Sequence, residues 1–181
     1  MIYALMADGF EEIEALAFID ILRRAELEIK TVSITDSNLV TGAHNIPVIC
    51  DITISELKDD YTMIFLPGGY PGYVNLGDCD KVIKLLHKAA DEKKRIAAIC
   101  AAPSVLGREG LLDGHKACCF PSFEKELLGA EVSFDDVVVS GNIITSRGAG
   151  TAHKLAFEVV KLYKGEETAT KLSETMIYTG K

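Results

Sequence analysis

Short apolar runs alternate along this chain with longer segments of helical period, and few folds accommodate that alternation. Ile2-Tyr3-Ala4-Leu5-Met6, Ile29 to Ile34, Met63-Ile64-Phe65-Leu66 and Arg95 to Ile99 read as strands, the most continuous of them buried on both faces. Phe10 to Ala25 and Asp80 to Lys93 carry helical spacing between them. Strands separated by helices close as a mostly parallel sheet with helices on both faces, an α/β sandwich. Val40 to Asp51 predicts a small hairpin, with Gly42 near its turn and Pro47 suited only to an edge. A helix is expected from about Ala101 to Gly107, then strands at Lys116 to Cys119 and Val137 to Val139. Asn142 to Thr145 is expected as a hairpin partner, with closing helices at Gly150 to Tyr163 and Glu166 to Met176. No linker, repeat or low-complexity stretch divides residues 1–181, so one domain is expected.

Charge and cysteine usage narrow the setting. Nineteen Lys and Arg against 27 Asp and Glu leave a net charge of −8, which argues against binding a nucleic-acid phosphate backbone or an anionic membrane surface. The first thirty residues lack a basic segment, and Asp8, Glu11, Glu12 and Glu14 interrupt their apolar run, so no signal peptide is expected. No apolar run is long enough for a membrane span. Five cysteines (Cys50, Cys79, Cys100, Cys118 and Cys119) form no C-x-x-C pair, which points to free thiols and a cytoplasmic location. His44, His87, His115 and His153 show no ligand spacing to one another or to the cysteines, which argues against zinc.

Most of the chemistry is concentrated in Arg95-Ile-Ala-Ala-Ile-Cys100-Ala-Ala-Pro-Ser-Val-Leu. A strand stops at a cysteine and a helix follows without a loop, with small residues, Ala98 and Ala102, two positions on either side. That is the pattern of a nucleophile elbow, which exposes one side chain at the carboxyl end of the sheet. A thiol at a helix N-terminus is expected to have a lowered pKa; the alternative is a buried core cysteine.

Three further segments accompany it. Leu66-Pro67-Gly68-Gly69-Tyr70-Pro71-Gly72 ends another strand at the edge where open α/β sheets bind ligands. Its glycines let backbone N–H groups face a substrate oxygen, or simply make a tight turn. In Asp8-Gly9-Phe10-Glu11-Glu12-Ile13-Glu14, Glu11 and Glu12 read as solvated first-turn acids. Glu14 instead shares an apolar face with Phe18 and Ile21, where burial raises a carboxyl's pKa. Protonated, it could donate a hydrogen bond to a neighbouring thiolate. Thr145-Ser146-Arg147-Gly148-Ala149-Gly150-Thr151 leads into a helix and is either an anion site or a plain turn. Ile13 to Leu22 is apolar almost all round, so a second subunit is a candidate cover for one side of that helix.

Taken together, Glu-Glu-Ile-Glu14, Leu-Pro-Gly-Gly69, Ala-Ile-Cys100-Ala-Ala-Pro and Ser-Arg-Gly-Ala-Gly150 make the chain resemble the ThiJ/PfpI superfamily. Within it, the likeness is to the branch of the animal Parkinson-associated protein deglycase and its bacterial relatives. The resemblance implies a flavodoxin-like sandwich of the class I glutamine-amidotransferase type, usually homodimeric. It also implies that Cys100 is the reactive cysteine, that Glu14 is the acid bonded to it, and that the N–H groups of Gly69 and Ala101 polarise a carbonyl oxygen. Gly68, Phe120, Pro121, Arg147 and Ala149 are expected around the pocket or an interface. The animal protein has a histidine where Phe120 precedes Pro121 here, which suggests a drier pocket. The protease-like branch has a histidine where Ala101 stands, which argues against peptidase or amidase activity.

The expected function is cofactor-free turnover of methylglyoxal and related reactive carbonyls or their early adducts. The Cys100 thiolate would attack the aldehyde. A non-enzymatic oxidative-stress sensor or redox-regulated chaperone would use the same thiol differently.

Overall fold

A computed structural model describes residues 1–180. The chain runs β1 (Ile2–Met6), α1 (Glu12–Arg24), β2 (Ile29–Ser33), β3 (Leu39–Thr41), β4 (Pro47–Ile49), β5 (Ile52–Thr53), β6 (Met63–Leu66), α2 (Gly72–Gly77), α3 (Asp80–Asp91) and β7 (Arg95–Ile99). It continues through α4 (Pro103–Arg108), β8 (Lys116–Ala117), β9 (Glu131–Val132), β10 (Val137–Ser140), β11 (Ile143–Ser146), α5 (Ala152–Lys164) and α6 (Glu166–Thr175). Seven strands form one sheet in the order β10-β11-β7-β6-β1-β2-β5, parallel except for the β10–β11 hairpin. The expected sandwich is therefore present.

Alternation along the strands distributes the core. Ile2, Ala4 and Met6 of β1, with Met63 and Phe65 of β6, pack beneath α1, α5 and α6. Tyr3 and Leu5, with Ile64 and Leu66, pack beneath α2, α3 and α4. Both faces are covered, so these strands are apolar apart from the Tyr3 hydroxyl, which donates to Asp60. On the α1 side Phe18 stacks on Phe65 with ring centroids 3.8 Å apart, which fixes the distance of α1 from the sheet. Since β1, β6, β7 and β11 are parallel, Met6, Leu66, Ile99 and Ser146 end at one edge.

Several boundaries differ from expectation. α1 begins at Glu12, because Glu11 caps it by accepting the Glu14 N–H at 2.7 Å. The helix after Cys100 begins at Pro103, with residues 100–102 forming a turn. Only Lys116–Ala117 of the expected third-quarter strand pairs, parallel to β9. The elements α2, β5 and β9 carried no readable pattern. α1 is covered on one side only: Ile13 is 53% and Leu16 37% exposed, and Leu39, Ile46 and Ile49 of the β3–β4 hairpin are exposed as well. Among the described residues no helix is long and apolar enough to cross a membrane.

Candidate active site at the carboxyl edge of the sheet

Cys100 sits at the end of β7 with φ of +64°, a left-handed conformation that is costly for any residue but glycine. Its neighbours hold it there. The Cys100 N–H donates to Ser146 O at 2.9 Å, and Cys100 O accepts from Phe120 N–H at 2.8 Å. Ala98 and Ala102 are fully buried, so strand and turn pack closely on either side. The elbow expected from the sequence is therefore present, with the thiol half-buried.

Glu14 reaches the same place from the first turn of α1. It is 1% exposed, and its Oε2 accepts the Gly68 N–H at 2.8 Å. A hydrogen bond joins it to Cys100, and the N–H groups of Ala101 and Gly69 also point at the sulfur. Gly68 and Gly69 allow this convergence. A Cβ on Gly68 would stand 2.6 Å from Cys100 Cβ and 2.7 Å from Glu14 Oε2. Gly69 has φ of +93°, and a Cβ there would stand 2.3 Å from Glu11 N, so the loops after β1 and β6 cross in contact. Gly68→Ala is accordingly expected to cost about 1–3 kcal/mol of stability through overpacking and to displace Cys100. Chemical denaturation together with the rate of thiol alkylation would measure both effects.

The electrostatics correct one expectation. Burial pushes the Cys100 thiol up to about 12, and the adjacent Glu14 charge and hydrogen bond add to the rise, against the lowering effect of the Ala101 and Gly69 N–H groups. The expected helix-terminus lowering does not prevail, because α4 starts three residues later and spans six residues. Burial also lifts Glu14 to about 7, offset in part by hydrogen bonds from Cys100 and Gly68. Two adjacent negative charges in this buried setting are unfavourable, so once Glu14 gives up its own proton at about 7 the pair keeps the remaining one, on the sulfur. The thiol donates to the carboxylate, the reverse of the expected polarity.

Phe120 also belongs to this cluster. A Cβ on Gly148 would lie 3.3 Å from its ring and 3.9 Å from Glu14 Oε1. Pro121, next along, is exposed. Arg147 follows Ser146, but its guanidinium turns to Phe134 O at 3.4 Å, and Ala149 opens the turn into α5. Neither is brought to the sulfur by a hydrogen bond. Each imidazole is engaged elsewhere: His44 with Glu12, His87 with Glu109, His115 with Ser140 O, and His153 against Tyr178. No histidine acts on Cys100, so a Cys-His hydrolytic pair is not assembled. A cleft of about 480 Å³ lined by Asp136, Lys154, Phe157, Glu166 and Tyr178 contains none of the elbow residues.

Glu12 is where sequence reasoning missed most. It is 5% exposed and not solvated: Oε1 accepts the His44 N–H at 2.7 Å, and Oε2 lies 2.7 Å from His44 Nδ1. Burial opposes its charge, but these bonds and backbone N–H donors outweigh it and hold its pKa down. The contact crosses 32 residues of sequence, and its only sequence trace is Gly42, where a Cβ would stand 2.3 Å from Glu12 Oε1. Glu11, Glu12 and His44 also gather three potential metal-ligand atoms within 4.8 Å. Glu11 and Glu12 are already occupied, capping Glu14 N–H and holding His44 respectively.

Comparison with known proteins gives a consistent picture. The DJ-1/PfpI family pattern matches residues 1–162. The protein DJ-1 homolog B of Arabidopsis thaliana is 36% identical over 174 residues, 95% of this chain. The chain spans only 40% and 44% of the lengths of that protein and its Arabidopsis relative, DJ-1 homolog A. A glutathione-independent glyoxalase of Caenorhabditis elegans is 31% identical, covering 90% of this chain and 87% of its own. A protein of Pyrococcus abyssi named as a deglycase is 32% identical, covering 88% and 97%. The structure of oxidized Toxoplasma gondii DJ-1 superposes with a TM-score of 0.94 at 33% identity, covering 99% of this chain and 98% of that one.

Proposed function

From the premise that the chain belongs to the DJ-1/PfpI family, we propose that it is a cofactor-free, cysteine-dependent glyoxalase or deglycase acting on methylglyoxal and related reactive carbonyls. The observation that carries the reading is the hydrogen-bonded Cys100–Glu14 pair on a strained elbow, with two N–H groups converging on the sulfur.

Glu14 takes the thiol proton as sulfur adds to the aldehyde carbon of methylglyoxal, giving a hemithioacetal oxyanion. The Gly69 and Ala101 N–H groups stabilise that oxygen, and Glu14 returns the proton to it. Glu14 then removes the proton from the same carbon and passes it to the neighbouring ketone oxygen, giving an enediol. The first carbon's hydroxyl loses its proton to Glu14, which returns it to the second carbon and leaves a lactoyl thioester. Water cleaves this to lactate and the free thiol. The first carbon is oxidised and the second reduced, so methylglyoxal plus water gives lactic acid with no external oxidant. From a glycated amine or thiol, sulfur displaces the amine or thiol from the hemiaminal or hemithioacetal carbon as the leaving group takes the thiol proton through Glu14, giving the same enzyme-bound hemithioacetal and the repaired group.

The test is incubation with methylglyoxal without added thiol or metal. Catalytic, enzyme-proportional lactate supports the reading; methylglyoxal loss limited to one equivalent per Cys100 contradicts it.

A second reading is favoured by one observation, the half-exposure of Cys100 beside Glu14, where Cys79 is also half-exposed but has no such acid and Cys50, Cys118 and Cys119 are buried. At Cys100, Glu14 is placed to hydrogen-bond a sulfenic or sulfinic acid formed by peroxide, which favours oxidation there over Cys79. Mass spectrometry after mild peroxide treatment tests it; oxidation spread evenly over the five cysteines removes its basis.

For the exposed Ile13, Leu16 and Ile49 we propose a second copy of the chain as cover. Leu16→Asp is expected to shift sedimentation from dimer to monomer. A parent chain that sediments as a monomer overturns the proposal.

A further inference from the structure

Two large aromatic side chains stand exposed around Cys100, Tyr70 at 75% and Phe120 at 46%. Phe120 donates its N–H to Cys100 O, and its ring lies against the Gly148 backbone next to Glu14. Tyr70 directly follows Gly69, whose N–H points at the sulfur. Ring contacts run from Tyr70 through Tyr73 to Phe123, and Phe123 is tied to Phe120 through its backbone. Tyr70 and Tyr73 have centroids 6.5 Å apart, Tyr73 meets Phe123 edge-on at 5.5 Å, and Phe123 N–H donates to Phe120 O at 3.1 Å. Scattered exposed hydrophobes need no explanation, but aromatic side chains gathered on the two loops beside a reactive group do.

We infer that these side chains select carbonyl substrates bearing an aromatic group, aryl 2-oxoaldehydes, over methylglyoxal; the inference rests on the glyoxalase reading above. Sulfur adds to the aldehyde carbon at the elbow, and the Phe120 ring beside Gly148 and Glu14 is the apolar surface nearest the substituent on the neighbouring ketone carbon. A methyl group there is too short to span the rings. A phenyl group can meet them edge-on or offset, the geometries aromatic pairs prefer. The Arg147 guanidinium, on the neighbouring loop, turns to Phe134 O.

The experiment compares kcat/KM for phenylglyoxal and methylglyoxal in the parent, Phe120→Ser and Tyr70→Ser proteins. Using the ratio of the two removes any common effect on the sulfur chemistry. Phe120→Ser is expected to lower the phenylglyoxal-to-methylglyoxal ratio about tenfold, within the range one apolar group commands. Tyr70→Ser is expected to lower it about threefold by the same mechanism. Both side chains are largely exposed, so neither change removes much core. A ratio in both variants that matches the parent's, with methylglyoxal turnover retained, overturns the inference and leaves the glyoxalase reading intact. A parent that turns over neither aldehyde overturns that reading, and the inference with it.

Discussion

Replacing Cys100 by alanine lowers kcat/KM for methylglyoxal by a factor of about 10³ or more, the scale on which losing a covalent nucleophile acts. The fold should survive the change. Alanine keeps the backbone that Ser146 O and Phe120 N–H hold, and it adds no volume against Gly68. Cys79→Ala, at the start of α3 and remote in role, serves as the control and keeps the parent rate. Stopped-assay lactate measurement on the two variants checks this. A Cys100→Ala protein as active as the parent would move the chemistry away from the elbow altogether.

Glu14→Gln separates proton transfer from packing. The amide oxygen can still accept the Gly68 N–H, so the site keeps its shape, but the group no longer takes a proton from sulfur. The expected loss in kcat is about 10²–10⁴, the range assigned to a positioned general base. Stability moves in the opposite direction. Glu14 has its pKa raised from 4.5 to about 7 in the folded chain, so folding favours its neutral form. That contribution is complete below pH 4.5 and is lost as pH rises through about 7, where the folded state must carry a buried charge. The difference of about 2.5 pKa units corresponds to about 3 kcal/mol at full effect. Urea denaturation of parent and Glu14→Gln at pH 4.5 and pH 8 should therefore show the parent losing stability relative to the variant across that interval. A stability difference independent of pH would mean that Glu14 is not buried as a neutral acid.

How much of this was legible in the sequence depended on whether the cause was local. β1, β6 and β7 could be read because strands covered on both faces leave uninterrupted apolar runs. The elbow could be read because β7 ends on Cys100 with alanines at the two crowded positions. β5 and β9 could not, and β8 was read two residues too long, since a two-residue strand exists only through its partner, as Lys116 does opposite Glu131. α2 was hidden by the glycines at both its ends, Gly72 and Gly77. Glu12 was misread because its solvent is replaced by a hairpin distant in sequence, whereas Glu14 could be read from Phe18 and Ile21 on its own face. The ionisation of Cys100 was misjudged for a similar reason. The sequence suggests a helix dipole acting at once, but residues 100–102 intervene as a turn, and burial beside Glu14 outweighs it.

The central claim is that, once Glu14 has lost its own proton at about 7, its carboxylate accepts the Cys100 proton and draws it from the sulfur. The pH dependence of Cys100 alkylation by iodoacetamide, followed by mass spectrometry in the parent and in Glu14→Gln, tests this most directly. The account predicts that the parent rate climbs through about pH 7 as Glu14 loses its own proton, and that the variant lacks this rise. A parent profile that is flat until well above pH 8 and overlays the variant's would contradict it.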